Sequence, residues 1–288
     1  MLKQRVVTAI ILFVLFLAAL FGLPTIGWQA LVLVVVWQGA VEWSRLSGLN
    51  GRAGIIYCIL TLALMAGTIL LDNSFTLEQQ TLLHLVWYVL AVLFWVLLVP
   101  AWLMLGWRVK NVWLMGLVGW LVLLPTGLAM LDLRFFNPLA SYIHSPWGAW
   151  GPWVLLFAMT VVMVADISAY FAGKRFGKNK LAPAISPGKT WEGVFGAMVG
   201  VTVYVIVVCW MSGLYKHYPV FPGVIVAGWW WVALAVIGDL FESAIKRQAG
   251  VKDSGTLLPG HGGLLDRIDA LTSTLPFAGI ALILQRLE

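Results

Sequence analysis

Charged side chains are scarce in this sequence: Asp, Glu, Lys and Arg together make up only 10% of its 288 residues. Hydrophobic residues make up 61%, and the mean hydropathy is +0.94. A soluble globular domain carries about 25% charged residues, so this scarcity excludes that class. The composition instead predicts a polytopic membrane protein.

Cysteine is almost absent, and both cysteines, Cys58 and Cys209, lie inside apolar runs. A thiol in such surroundings behaves as a small hydrophobic group, so the sequence predicts neither a disulfide framework nor a cysteine metal site. There is also no internal repeat, low-complexity tract or soluble domain. The first apolar run follows Lys3 and Arg5 but has no small-x-small cleavage site before Pro24, so we expect a retained helix rather than a signal peptide.

Uncharged runs long enough to cross a bilayer account for most of the chain. A helix needs roughly 20 apolar residues to span a hydrocarbon core about 30 Å thick. We therefore predict an all-α, polytopic integral membrane protein with eight or nine transmembrane helices, because two of the nine candidate runs, 26–41 and 270–285, are short. The runs are 6–23, 26–41, 53–71, 82–105, 112–131, 146–165, 193–214, 218–238 and 270–285.

The basic residues indicate an orientation. With nine spans and the N-terminus inside, 15 of the 18 Lys and Arg residues fall on the cytoplasmic side, as the positive-inside rule expects. The exceptions are Arg134, Lys216 and Arg286. The same rule explains the net charge of +6, so no nucleic acid partner is predicted.

The two halves of the chain differ in their polar content. Residues 1–150 are predicted to be N-terminal transmembrane helices joined by short loops. Seven of the twelve acidic residues lie between 166 and 269. We therefore predict that 151–288 is a C-terminal transmembrane catalytic region with two cytoplasmic loops, 166–192 and 239–269.

The first of these loops contains SPGKT, which is similar to part of a phosphate-binding loop. Such a loop needs a glycine five residues before Gly188, and that position is Pro183. The segment still predicts an anion site, with Ser186 capping the next helix and Pro187 in its first turn. Lys189 and Thr190 would complete this site. The remaining basic residues of the loop are attributed to acidic lipid headgroups: Lys174, Arg175, Lys178 and Lys180.

The second loop begins at Asp239, which ends an uncharged run of about 21 residues at the membrane boundary. An acid at this depth is costly unless it faces protein, water or a cation, which makes it a functional candidate. If the helix continues, Glu242, Ser243 and Lys246 share a face with Asp239 at positions i+3, i+4 and i+7. An ordinary ion-paired surface would show the same stripe.

A glycine-rich turn, DSGTLLPGHGG, then leads into Asp266, Arg267 and Asp269. Each acid alone could simply favour a helix N-terminus, and a lone His261 is more often structural than catalytic. Together with the nearby lysines, these groups match a magnesium-phosphate site, in which carboxylates hold the metal and basic groups hold the remaining charge. Asp166 ends another uncharged run and is left open between ion pairing and a site role.

Two segments resemble phosphatidate cytidylyltransferases, also called CDP-diacylglycerol synthases. They are SAIKRQAGVKDSGTLLPGHGGLLDRID at 243–269 and DISAYFAGKRFGKNKLAPAISPGKTWEG at 166–193. A signature of about 27 residues is far more specific than a short glycine motif. The one departure is Ile167, where threonine is common in the family. The resemblance implies that CTP and phosphatidic acid react to give CDP-diacylglycerol and pyrophosphate.

The resemblance also assigns roles to residues. Asp239 and Asp266 are implied as metal ligands for Mg²⁺, with an additional monovalent or divalent cation left open. Phosphate contacts are implied for Lys189, Lys246 and Lys252 and for the site of Ser186 and Thr190. Further site residues complete the predicted shell without separable roles: Glu192, Asp253, His261, Gly262, Gly263, Arg267 and Asp269.

The expected partners are CTP, phosphatidic acid and membrane lipids, while homodimerisation is left open. The expected location is a bacterial-type inner membrane, with the N-terminus and the site cytoplasmic. A transporter is disfavoured because the acids cluster at one side and no repeat is visible. A CDP-alcohol phosphotransferase would carry four Asp residues around DGxxAR, which this chain lacks. A structural protein gives no reason for HGGLLDRID.

Overall fold

The computed structural model describes residues 2–136, 150–213, 221–257 and 262–287. Within these ranges eight helical rods are long and apolar enough to cross a membrane, and α1 is a further helix. This confirms the predicted all-α polytopic membrane fold. The helices are α1 (Leu2–Gly22), α2 (Thr25–Leu46), α3 (Gly51–Asp72), α4 (Leu77–Leu93), α5 (Val99–Leu105), α6 (Val112–Arg134), α7 (Trp150–Phe176), α8 (Trp191–Met211), α9 (Phe221–Gln248) and α10 (Leu265–Leu287).

The rods differ in how deeply they are buried. A π-helical turn, Phe94–Leu98, joins α4 to α5, so that these segments form one rod. Within the apolar 18-residue stretch of each helix, 78% of α6 is buried inside the protein, against 56% of α10 and 17% of α8. Helix α6 is therefore the centre of the bundle, and most of α8 is left for lipid.

Between α7 and α8 the chain forms a short antiparallel hairpin. Its strands, β1 (Lys180–Ala182) and β2 (Ser186–Thr190), are the only β-strands among the described residues. The expectation that Ser186 caps α8 is wrong. Ser186 pairs with Ala182, and the backbone stays extended as far as Thr190. Thr190 is the N-cap instead, because its Oγ1 accepts a hydrogen bond from Gly193 N at 3.2 Å. The hairpin delays the helix by four residues, so Pro187 lies in β2 rather than in a first helical turn.

Several helices extend beyond the predicted apolar runs. Helix α7 continues ten residues past Asp166, α9 continues nine past Asp239, and α10 already begins at Leu265. The predicted loops 166–192 and 239–269 are therefore largely helical, and their described non-helical parts shrink to 177–190, 249–257 and 262–264. An uncharged run marks the depth of the hydrocarbon, whereas a helix can carry charged residues beyond it.

A buried polar cluster, here called the His84 cluster, joins α3, α4 and α6. His84 Nδ1 lies 2.9 Å from Asp132 Oδ2, and His84 Nε2 lies 3.1 Å from Asp72 Oδ1. Tyr88 donates its hydroxyl to Asp132 Oδ2 at 2.6 Å. The ring of Tyr88 packs against Gly279 of α10, which is 14 residues from the start of that helix, or about 20 Å along its axis. This cluster therefore lies at the end of the bundle opposite the N-terminus of α10.

Candidate functional site

Helices α9 and α10 approach each other closely at Gly238. A Cβ at this position would lie 2.7 Å from the carbonyl oxygen of Asp269 and would overlap the Ser273 hydroxyl. Ser273 in turn donates a hydrogen bond to the Leu234 carbonyl at 2.8 Å. The absence of a side chain at Gly238 is what allows the two backbones to meet. The two helices are antiparallel, and this contact places the acidic residues of α9 beside those of α10 along the helix axes.

These acids form two clusters, one helical turn apart. Asp239 and Glu242 are separated by three residues on α9, as are Asp266 and Asp269 on α10, so each pair shares one face of its helix. Because the helices are antiparallel, Asp239 is level with Asp269, and Glu242 is level with Asp266. Asp269 interacts electrostatically with Asp239, whereas Glu242 interacts with Asp269 as well as with Asp266, so the two levels adjoin.

The first group, the Asp239 cluster, consists of Asp166, Lys189, Asp239 and Asp269. Lys189 Nζ lies 2.5 Å from Asp239 Oδ2, so the hairpin is joined to α9. Asp166 of α7 is within electrostatic range of Lys189 and Asp239. The Asp166 carboxylate therefore lies close to the other charged groups of this cluster.

The second group, the Asp266 cluster, consists of Glu242, Lys246 and Asp266. Lys246 Nζ lies 2.5 Å from Asp266 Oδ1 and 3.2 Å from Glu242 Oε1. The polar residues predicted to share one face of α9 thus lie on one continuous helix. On the same face, Ser243 Oγ donates a hydrogen bond to Asp239 Oδ1 at 3.3 Å. The side chains of this cluster are almost completely enclosed, with 12% of Lys246 and 6% of each carboxylate partner exposed.

The glycine-rich turn holds the other oxygen of Asp266. Asp266 Oδ2 accepts backbone hydrogen bonds from Ser254 at 2.9 Å and from Gly263 at 2.8 Å. Gly262 has a φ of +83°, and a Cβ there would lie 2.5 Å from Asp266 Oδ2. The glycines predicted as site residues therefore provide the backbone shape that surrounds this carboxylate.

Glu42 of α2 is a residue that the sequence reasoning missed. It is fully buried, and its carboxylate accepts hydrogen bonds from Ser254 Oγ, Leu264 N and Leu265 N at 2.7, 2.8 and 2.9 Å. The signal was available, because Glu42 directly follows the uncharged run 26–41, as Asp239 follows its own run.

The remaining predicted residues take varied positions. Thr190 is buried, and its hydroxyl is used in capping. Glu192 accepts hydrogen bonds from the backbone and side-chain amides of Asn179, with Nδ2 at 2.8 Å, and so closes the hairpin onto α8. Arg267 is exposed but within electrostatic range of Asp166. Other predicted residues lie at the surface of the turn or outside the described residues: Lys252 and Asp253 are exposed, and His261 is not among the described residues.

Carboxylates outnumber cationic groups in the combined site. Five acids lie across the two clusters, against Lys189, Lys246 and the neighbouring Arg267, which leaves a formal excess of two negative charges. In the described part of the chain, no three His, Cys, Asp or Glu side chains converge on a common metal position. The oxygen donors of these five acids are of the type that Mg²⁺ accepts, and Mg²⁺ is usually held by one or two carboxylates together with substrate phosphates.

Comparison with known proteins identifies the class to which this fold and site belong. The sequence matches the profile of the cytidylyltransferase family over residues 3–284. It is 37% identical to a phosphatidate cytidylyltransferase of Pseudomonas aeruginosa, over 96% of this chain and 95% of that protein. It is 38% identical to a phosphatidate cytidylyltransferase of Haemophilus influenzae, over 96% of this chain and 97% of the relative.

The molecule is thus a multi-pass membrane nucleotidyltransferase of phospholipid synthesis. More narrowly, the chain belongs to the cytidylyltransferase family. The family predicted from the two sequence segments is confirmed.

Proposed function

We propose that this chain is a phosphatidate cytidylyltransferase, which converts CTP and phosphatidic acid to CDP-diacylglycerol and pyrophosphate. Two relatives that match nearly its full length carry that name. The single structural observation that carries the proposal is the convergence of α7, the hairpin, α9 and α10 on one group of carboxylates and lysines. A reaction between a charged nucleotide and a charged lipid headgroup requires such a site at the end of a membrane bundle.

In the proposed reaction, a phosphate oxygen of phosphatidic acid attacks the α-phosphorus of CTP in line. The new P–O bond forms as the bond between the α-phosphorus and the bridging oxygen of the β-phosphate breaks, and pyrophosphate leaves with that electron pair. The nucleophile is already an anion, so no general base is needed. Catalysis then rests on positioning and charge neutralisation.

Lys189 and Lys246 are the groups proposed to contact phosphates. Both ammonium groups lie against carboxylates, Lys189 on Asp239 and Lys246 on Asp266, and each is therefore held in a fixed place within the site. An ammonium group is a compact charge on a flexible stem, so each can contact a phosphate while remaining near its carboxylate. Lys252 and Arg267 are exposed, and we propose that they contact the nucleotide from the solvent side.

Mg²⁺ is proposed as the cofactor, held by Asp239 and Asp266, with Asp269, Glu242 and Asp166 close by. The hard oxygen donors and the formal negative excess of the site support this choice. When bound, the metal would neutralise charge on the phosphates. The predicted second cation remains a proposal, supported by the number of carboxylates.

The site is proposed to face the cytoplasm of a bacterial-type inner membrane, with the N-terminus on the same side. The distribution of basic residues supports this orientation, and it gives the site access to cytoplasmic CTP and to phosphatidic acid from the lipid. Every group in the scheme comes from one chain, so the proposal does not depend on a homodimer.

The deciding experiment uses purified protein in detergent with radiolabelled CTP, phosphatidic acid and Mg²⁺. We expect a lipid-extractable cytidine product and one equivalent of pyrophosphate. Diacylglycerol in place of phosphatidic acid is the matched control, because it lacks the attacking phosphate. Absence of product with Mg²⁺, Mn²⁺ and Co²⁺ would rule out the assignment.

A further inference from the structure

The buried carboxylate of Glu42 lies inside the turn that carries the signature residues, more than 200 residues away in sequence. Glu42 Oε2 accepts the Ser254 hydroxyl and Leu265 N, while Oε1 accepts Leu264 N. Gln38, one turn earlier on α2, donates its side-chain amide to Oε1 at 2.9 Å. Four donors thus surround a single carboxylate, and three of them belong to residues 254–265.

The turn is shaped around this carboxylate. A Cβ at Gly255 would lie 3.0 Å from Glu42 Oε1, and a Cβ at Gly263 would overlap Glu42 Oε2. The second glycine of HGG is therefore required by Glu42, whereas Gly262 is required by Asp266. The two adjacent glycines therefore make room for two different carboxylates.

Ser254 links Glu42 to Asp266. Its hydroxyl oxygen lies 2.7 Å from Glu42 Oε2 and 3.1 Å from Asp266 Oδ2, and it is 3.4 Å from Asp266 N. A hydroxyl has one proton to donate, and the shorter distance indicates that Ser254 donates its hydrogen bond to Glu42. Ser254 Oγ then accepts from Asp266 N, while Ser254 N donates to Asp266 Oδ2. The position of the Asp266 carboxylate therefore depends on where Glu42 holds Ser254.

We propose that Glu42 is a positioning residue for the transfer reaction, which acts through Ser254 and the N-terminus of α10 on Asp266 and Lys246. It contacts neither substrate nor metal in this scheme. It anchors the turn to α2, so that Asp266 Oδ1 faces Lys246 and the site rather than the turn. This inference rests on the proposed cytidylyltransferase function.

The test compares Glu42→Gln with Glu78→Gln, the same chemical change at an exposed acid in the first turn of α4. In Glu42→Gln one carboxylate oxygen becomes an amide group, which cannot accept a hydrogen bond from Leu264, Leu265 or Ser254. We expect the rate to fall roughly 10- to 100-fold, as is typical for partners that orient metal ligands. We also expect the Mg²⁺ concentration for half-maximal rate to rise roughly 10-fold. Glu78→Gln should match the wild type in both.

A second readout does not depend on turnover. Amide hydrogen exchange in detergent, without substrate, should speed up in Glu42→Gln for peptides that contain Leu264 and Leu265, and should stay unchanged in α3. If the wild-type protein makes no product, the proposed function fails, while this measurement still decides whether Glu42 anchors the turn.

The double variant Glu42→Gln/Ser254→Ala tests the connecting step. If Glu42 acts through Ser254, the loss in the double variant is smaller than the product of the two single losses. A wild-type rate in Glu42→Gln would overturn the proposal. A reduced yield of folded protein, with an unchanged Mg²⁺ concentration for half-maximal rate, would also overturn it, because a purely structural role gives that result. Should Glu42→Gln fail to accumulate, Ser254→Ala alone decides by the same Mg²⁺ and exchange criteria.

Discussion

Lys189 Nζ lies 2.5 Å from Asp239 Oδ2, so the second strand of the β-hairpin is joined to α9. About a quarter of each side chain remains exposed. The pair is therefore neither a fully solvated surface contact nor a sealed core pair. A lysine in this setting can interact with an incoming phosphate while it remains within reach of its carboxylate.

Lys189→Ala should lower kcat/KM for CTP by about 100-fold, because it removes a preorganised cation from charged phosphates and leaves Asp239 without its counterion. Steady-state assays with varied CTP measure this. Lys180→Ala, nine residues earlier in the same hairpin and exposed, is the matched control and should stay within twofold of wild type. An equal loss in both variants would indicate a general electrostatic effect of the hairpin.

Asp266→Asn should lower kcat by about 100- to 1000-fold. Asn has one acceptor oxygen and one donor nitrogen, whereas Asp266 accepts from backbone amides on one side and from Lys246 on the other. In either orientation, the Asn amide nitrogen therefore faces another donor, which is Lys246 Nζ or the backbone amides of the turn. Turnover per folded molecule is the measurement, and Glu78→Gln, at an exposed acid in the first turn of α4, is the control. An active Asp266→Asn protein would remove Asp266 from the metal site.

Gly238→Ala should weaken both stability and catalysis, because the new Cβ overlaps Ser273 and the Asp269 carbonyl. We expect a loss of about 1–3 kcal/mol in the free energy of unfolding, typical of overpacking, together with a lower kcat as Asp239 and Asp269 separate. Thermal unfolding and activity are measured on the same samples. Gly223→Ala, in open space at the other end of α9, should change neither.

The sequence was sufficient for the class of fold and for the stripe on α9. Hydrophobic length reports the bilayer directly, and the periodicity of a helix places Asp239, Glu242 and Lys246 on one face wherever the helix continues. Both features depend only on local spacing along the chain.

Sequence reasoning was less reliable where the result depends on contacts between distant segments. Ser186 has the composition of a cap, but pairing with Ala182 holds it in a strand. Glu42 could not be matched to Ser254 or Leu265, because no periodicity connects residues more than 200 positions apart. The approach of α9 to α10 at Gly238 likewise needs the packed helices, since a glycine in an apolar run looks the same whether or not a neighbour lies against it.

His84→Gln should separate stability from catalysis. Loss of the imidazole removes one partner of the buried Asp132 carboxylate and one of Asp72, and breaking a buried pair costs about 3 kcal/mol or more. The cluster lies about 20 Å from the N-terminus of α10, so kcat per folded molecule should be unchanged. Thermal unfolding in detergent and active-site-normalised rates test the two halves of this prediction. A reduced kcat in the folded fraction would show that the two ends of the bundle are coupled.

The proposed orientation makes opposite predictions for two exposed positions, Ser212 after α8 and Thr256 in the turn before α10. In a background with Cys58→Ser and Cys209→Ser, single cysteines at 212 and 256 are treated in spheroplasts with a membrane-impermeant maleimide. Helix α8 crosses the membrane between the hairpin and Ser212, and α9 crosses back before Thr256. Ser212→Cys should therefore label in intact spheroplasts and Thr256→Cys only after lysis. Labelling of Thr256→Cys in intact spheroplasts would place the carboxylate and lysine site on the side without CTP.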